Sequence, residues 1–123
     1  MKILVVEDSP SMRSFLTTLI EDGSRLEVVE ASSGFEALKM LPHHAFDAIL
    51  TDINMPDING LELVSFLKNH PGYRDIPIMV ISTESSEEDR RRAAELGAEE
   101  YLVKPFQEED LQEKLRRLLR VRS

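Results

Sequence analysis

Four apolar runs in this chain each hand over to a side chain that can do chemistry. Ile3-Leu4-Val5-Val6 ends in Glu7-Asp8, Ala48-Ile49-Leu50 leads to Asp52, Ile78-Met79-Val80-Ile81 ends at Ser82, and Tyr101-Leu102-Val103 ends at Lys104-Pro105. Carboxylates gathered in one place repel, by about 4 kcal/mol for a pair roughly 4 Å apart at an effective dielectric of about 20. A cation must offset that cost. Oxygen donors suit Mg²⁺, with Mn²⁺ able to substitute, and Mg²⁺ sites typically combine one or two carboxylates with waters and phosphate oxygens. A carboxylate is also a competent nucleophile that forms an aspartyl phosphate. Asp52 is the central candidate, while the Ser82 hydroxyl and the Lys104 ammonium are suited to the equatorial oxygens of a transferring phosphoryl group. Taken singly, Asp52 reads as a turn former, Ser82 as the start of a capping segment and Lys104 as a solvated lysine. Their joint placement after four separate strands is what points to one polar pocket.

The elements that must position these residues follow a simple rhythm. Strands are expected to begin near Lys2, Leu26, Ala48, Ile76 and Glu100, each followed by a segment with helical periodicity, which makes five βα units. The first helix shows Met12, Phe15, Leu16, Leu19 and Ile20 on one apolar face, with Ser9 as N-cap, Pro10 at the first helical position and Gly23 as the stop. The second runs from Gly34 to Leu41 and stops at Pro42; the third runs from Leu61 to Asn69 and stops at Pro71-Gly72. Ser85-Ser86-Glu87-Glu88-Asp89 offers overlapping capping boxes for the fourth, which ends at Gly97. In the fifth, Leu111, Leu115, Leu118 and Leu119 form the buried stripe. Acids in its first turn and Arg116, Arg117 and Arg120 near its end suit the helix dipole.

Strand polarity orders the sheet. The first, third and fourth strands are continuously apolar, as expected when both faces are covered, whereas Leu26-Glu27-Val28-Val29-Glu30 carries charge and the fifth is short. The second and fifth are therefore edges. With right-handed crossovers this predicts an α/β fold, a flavodoxin-like (βα)5 three-layer sandwich with a parallel sheet in the order 2-1-3-4-5. Its switch point falls between strands one and three, flanked by Glu7-Asp8 and Asp52. Pro77 is tolerated at the beginning of the fourth strand, where the lost N–H matters least.

Composition narrows the function. A chain of 123 residues with 41% hydrophobic content suits a single domain spanning residues 1–123. It contains no cysteine, which excludes disulfides and thiolate metal sites. A net charge of -8 opposes phosphate-backbone binding, so direct nucleic-acid contact is not expected. No apolar run exceeds four residues, so neither a signal peptide nor a membrane span is expected and the chain should be cytoplasmic. His43-His44 and Arg90-Arg91-Arg92 read as solvated groups.

Glu7-Asp8, Asp52-Ile53-Asn54-Met55-Pro56 with Gly60, Ser82, and Lys104-Pro105-Phe106 together resemble the receiver domain of two-component response regulators. The motif is most similar to chemotaxis-type single-domain members, and Ser11-Met12-Arg13 shares that resemblance. The resemblance implies a signalling switch that catalyses only its own aspartyl phosphorylation and dephosphorylation. Asp52 would accept phosphoryl from a histidine kinase or phosphotransfer protein. Asp8, Asp52 and the backbone carbonyl of Asn54 would bind Mg²⁺ with Glu7 assisting, and Ser82 and Lys104 would contact the phosphoryl group. Ser82 and Tyr101 would act as the switch pair, and the Lys104-Pro105 bond is often cis in such domains. Asn54 and Glu84 resemble the pair that influences attack by water on the aspartyl phosphate, while Thr83, in place of alanine or glycine, would restrict access. The output would pass through the face of the fourth helix, fifth strand and fifth helix to a protein target or a fused output domain, from a monomer or a phosphorylation-dependent dimer.

Three other readings compete. A phosphatase of the haloacid dehalogenase type needs an Asp-x-Asp pattern after the first strand, where this chain has Glu7-Asp8-Ser9. A flavodoxin-like cofactor carrier needs a hydroxyl-rich or glycine-rich phosphate loop after the first strand, where Ser9-Pro10-Ser11 offers hydroxyls but no glycine and Glu7-Asp8 would repel a phosphate. A pseudo-receiver, acting as a phosphorylation-independent interaction module, is the remaining alternative.

Overall fold

The computed structural model describes residues 1–83 and 87–122, with side chains followed through residue 120. Five strands, β1 (Lys2–Val6), β2 (Glu27–Ala31), β3 (Ala48–Asp52), β4 (Ile78–Ser82) and β5 (Glu100–Val103), alternate with helices α1 (Pro10–Glu21), α2 (Gly34–Met40), α3 (Gly60–Lys68), α4 (Glu87–Leu96) and α5 (Glu108–Arg122). All pairings are parallel and the order is β2-β1-β3-β4-β5, as strand polarity predicts.

Strand alternation builds the layers, because successive side chains point to opposite faces of a sheet. Leu4, Val6, Ile49, Ile78, Val80 and Tyr101 pack with Ala37, Leu63, Val64, Leu67 and Ala93 from α2, α3 and α4. Ile3, Val5, Leu50, Met79, Ile81 and Leu102 pack with Leu16 and Ile20 of α1 and Leu111, Leu115 and Leu118 of α5. The result is three layers with the sheet in the middle. Every residue of β3 and β4 is buried, consistent with central positions.

Boundaries differ from expectation in small, explicable ways. β4 starts at Ile78, so Pro77 precedes it and contributes only its carbonyl, which accepts Ile49 N–H at 3.0 Å. Pro42 does not simply stop α2; it sits in a 3₁₀ turn, Leu41–His43, that carries the chain on to the buried Phe46. The third helix begins a residue early, capped by a reciprocal box between Asn59 and Glu62. Phe15 shares the apolar spacing of α1 yet is 49% exposed, with its ring 6.3 Å from that of Phe106, and Leu119 is only partly buried. The capping expectation at Ser85 and Ser86 falls outside the described residues.

The basic end of α5 does more than complement a dipole. Arg117 donates to both carboxylate oxygens of Glu100 at 3.0 and 3.3 Å, tying α5 to the edge strand β5. Arg90 also departs from the solvated reading, since its guanidinium lies 5.0 Å from the centroid of the Tyr101 ring. His44 is half-buried, 3.2 Å from the Lys2 ammonium and against Phe46.

Candidate functional site

Register brings the four strand ends together. Val6 pairs with Thr51, Asp52 with Ile81, and Ser82 with Val103, so Glu7, Asp52, Ser82 and Lys104 stand side by side along the C-terminal edge of the sheet. Carboxylate oxygens of Glu7, Asp8 and Asp52 all lie within 4.8 Å of one another. The Lys104 ammonium reaches into this cluster, 2.7 Å from Glu7 Oε1 and 3.5 Å from Asp52 Oδ2. Ser82 is fully buried, and its carbonyl accepts the Lys104 N–H at 2.8 Å.

Local bonds hold each acid in place. Glu7 donates its N–H to Ala31 O, while its own carbonyl accepts Arg13 Nη1 at 2.8 Å. Both Glu7 carboxylate oxygens are engaged, one by Lys104 and the other by Ser9 N–H at 3.2 Å. Asp52 Oδ1 accepts Ile53 N–H at 2.8 Å, and Thr51 Oγ1 donates to the Asp52 carbonyl. Gly60 then closes the loop beyond Asp52 by donating to Ile53 O at 2.8 Å. A side chain at residue 60 would overlap the Asp52 carbonyl oxygen, so this return path requires glycine.

The cluster is electrostatically unbalanced. Three ionised carboxylates and one ammonium leave two negative charges uncompensated. Asp8 shows the consequence: desolvation first, then a hydrogen bond and repulsion from Glu7, push its carboxyl up from the ordinary value, against the pull of its own backbone and of Lys104. A divalent, oxygen-preferring cation matches both the donor chemistry and the missing charge. Glu7, Asp8 and Asp52 therefore fit a metal site.

Asn54 and Thr83 are exposed on the loops after β3 and β4, while Glu84 lies outside the described residues. Tyr101 is 7% exposed and packs inward against the core. The Lys104-Pro105 bond is cis.

Two residues take supporting roles that the sequence pattern did not assign to them. Arg13 holds the acid-pair backbone while pairing with Glu30 of β2 at 3.1 Å, and Asp57 bonds to the start of α2. Glu30 and the α2 amides belong to other βα units than Arg13 and Asp57, so no local spacing marks these contacts.

With the geometry in view, comparison with known proteins is specific. The pattern of the response regulator receiver domain matches residues 3–116. The chain is 38% identical over 120 residues to a chemotaxis protein CheY homolog of Campylobacter jejuni, covering 97% of this chain and 92% of that protein. It is 39% identical over 116 residues to chemotaxis protein CheY1 of Helicobacter pylori, covering 94% of each. The solved structure of the chemotaxis response regulator CheY4 of Vibrio cholerae superposes with a TM-score of 0.88 at 37% identity, covering 96% of this chain and 98% of that one. The chain belongs to the response regulator receiver domain family. It is a receiver domain of the CheY type rather than a conventional enzyme. Among the described residues no helix is long and apolar enough to cross a membrane.

Proposed function

We propose that this chain is a Mg²⁺-dependent phosphoacceptor switch in which Asp52 takes a phosphoryl group from a histidine kinase or phosphotransfer protein. The observation that carries this reading is the convergence of Glu7, Asp8 and Asp52 within 4.8 Å, with Lys104 as their counter-charge. An oxygen of the Asp52 carboxylate attacks phosphorus, the donor's phosphorus–nitrogen bond breaks with its electron pair passing to nitrogen, and the donor ring, already protonated on its other nitrogen, leaves as neutral imidazole. The Ile53 N–H fixes the attacking carboxylate's rotamer, and Lys104 stands within reach of the developing charge. Asp8, Asp52 and the Asn54 carbonyl would hold Mg²⁺, which supplies charge neutralisation to the incoming phosphoryl oxygens. Glu7, with both oxygens engaged, acts from behind this set.

The output runs through Ser82 and Tyr101. Phosphorylation adds charge and acceptor oxygens, to which the Ser82 hydroxyl donates, drawing the loop after β4 inward. Tyr101, packed inward beneath Arg90, lines a groove of about 220 Å³ together with Arg90, Ala94, Glu100 and Lys114. Phosphorylation favours the inward ring over an outward one, and the α4-β5-α5 face presents the difference to a protein target. Full reversal of such an equilibrium from 1:99 to 99:1 needs about 5.5 kcal/mol, within reach of a few charge-assisted bonds. Asn54, Thr83 and Glu84 tune how long the phosphorylated state lasts, Thr83 by the bulk it sets beside Ser82.

The test is intact-mass analysis during incubation with a small-molecule phosphoryl donor, with and without Mg²⁺. A Mg²⁺-dependent gain of one phosphoryl group, absent in Asp52→Asn, supports the reading. A mutant labelled at the wild-type rate removes Asp52 from its role. No gain in the wild type would leave a phosphorylation-independent interaction module.

A further inference from the structure

The loop between Asp52 and α3 exposes Asn54, Pro56 and Asp57, while Met55 and Ile58 pack against the core. Its base is secured by the Gly60 N–H to Ile53 O bond. Its polar side is held by α2. Asp57 Oδ2 accepts the Phe35 N–H at 2.9 Å and Oδ1 accepts the Gly34 N–H at 3.2 Å, so one carboxylate takes two of the helix's unpaired donors. Beside it Ile58 presses on Gly34, where an added Cβ would come within 2.8 Å of the Ile58 Cβ. The contact therefore requires glycine on one side and a carboxylate on the other. α2 needs neither for its own N-cap, because Ser33 Oγ already accepts the Glu36 N–H at 3.1 Å.

We infer that Asp57 is a positioning residue for the phosphoacceptor site: by gripping the N-terminus of α2 it holds the 53–59 loop in the shape that presents the Asn54 carbonyl and the Ile53 N–H to the Asp52 pocket. This rests on the phosphoacceptor reading above and extends it to a part of the molecule that touches neither metal nor phosphoryl. The bond to Phe35 N–H is also the main reason that the Asp57 carboxyl sits at about 2, so the grip is a charged one at any ordinary pH. Coupling of this kind is reciprocal. If α2 shapes the metal-binding loop, occupation of the site must in turn tighten the Gly34 and Phe35 amides.

Asp57→Ala, Asp57→Asn and Ser33→Ala separate this role from ordinary helix capping, since Ser33→Ala removes a cap from the same helix without releasing the loop. Mg²⁺ alone is titrated into each folded protein, followed by the amide resonances of Ile53 and Asn54, and labelling by a small-molecule donor is timed. Asp57→Ala should lose on the order of tenfold in Mg²⁺ affinity and label correspondingly slowly, as outer partners of metal ligands do. Asp57→Asn, whose amide oxygen still accepts a bond, should recover part of the loss, and Ser33→Ala should bind Mg²⁺ like the wild type despite a lower Tm. Mg²⁺ should also slow hydrogen exchange at Gly34 and Phe35 in the wild type. Wild-type affinity in both Asp57 variants, equal losses in Asp57→Ala and Ser33→Ala, or Mg²⁺-indifferent exchange would each overturn the inference. A wild-type protein that binds no Mg²⁺ and takes up no phosphoryl group would overturn the phosphoacceptor reading, and the inference with it.

Discussion

Lys104 and Lys68 sit at opposite ends of the sheet with nearly the same side-chain exposure, 11% and 12%, and very different company. At the N-terminal edge, Lys68 Nζ donates to Arg74 O at 3.2 Å, Ile76 O at 2.9 Å and Glu99 Oε2 at 2.8 Å, which matches an ammonium's three protons with three acceptors. Glu99 is satisfied in turn, since its other oxygen accepts the Ile78 N–H at 2.8 Å. At the C-terminal edge, Lys104 faces a cluster of three carboxylates alone among the described residues. The same side chain is a clamp where charges balance and a lone counter-charge where they do not. An uncompensated negative charge is what a bound cation would neutralise.

Breaking the unbalanced edge should have the largest effect. Lys104→Ala should lower the labelling rate on the order of a hundredfold, because a preorganised charge at the reacting group is lost. What labelling remains should bring no phosphate-dependent change in near-ultraviolet spectra or fluorescence quenching by Mg²⁺ and donor. A spectral response equal to the wild type would deny Lys104 its role in the switch.

Breaking the balanced edge should affect stability instead. Lys68→Ala leaves two carbonyls and Glu99 short of a donor, at a cost of about 2 kcal/mol in denaturant midpoint measurements. Labelling of the folded variant should match the wild type. If the rate falls with stability, the two edges are not separate.

Asp8→Asn sharpens the contrast because its effects should have opposite signs. The folded-state pKa of Asp8 is raised, so its ionisation weakens the fold as pH rises through that value. In metal-free buffer near neutrality Asp8→Asn should therefore be the more stable protein, with the advantage vanishing as pH falls and Asp8 protonates. The variant should also fail to gain stability on adding Mg²⁺. Thermal melts with and without Mg²⁺ across pH 4 to about 7 would show both, and a neutral-pH loss of stability would contradict the repulsion described for this site.

The smallest effect belongs to Asp57. Its folded pKa, about 2, is depressed, so its stabilising contribution is present above the unfolded value near 3.8 and is lost as pH falls through about 2. Asp57→Asn should consequently be less stable than the wild type at neutral pH and indistinguishable from it in strong acid. A gap that persists unchanged below pH of about 2 would mean that the carboxylate's charge does not contribute.

Much of this architecture was legible in the chain. Charged Glu27 and Glu30 in one run, and continuous apolar residues in Ile3–Val6, Ala48–Leu50 and Ile78–Ile81, were enough to place β2 at an edge and β1, β3 and β4 inside. Strand alternation and burial are local consequences of residue type, which is why they can be read locally. The strand-end acids, Ser82 and Lys104 were readable for the same reason, since a residue that directly follows a parallel strand has only one edge to occupy. Phe15 shows the limit: its spacing matches Leu16 and Leu19, yet how much of α1 is covered depends on where α5 lies. Arg90 likewise reads as one of three solvated arginines until α4 is laid over Tyr101.

The sequence by itself determined which elements form, their order in the sheet and which side chains stand at the four strand ends, because these follow from periodicity, polarity and the handedness of crossovers. Only the tertiary structure decided which charges meet. Lys104 and Glu7 are separated by almost the whole chain, Asp57 grips a helix from another βα unit, and Arg13 spans α1, β1 and β2. Electrostatic energy depends on distances of a few ångströms in space, and no pattern along the chain contains them.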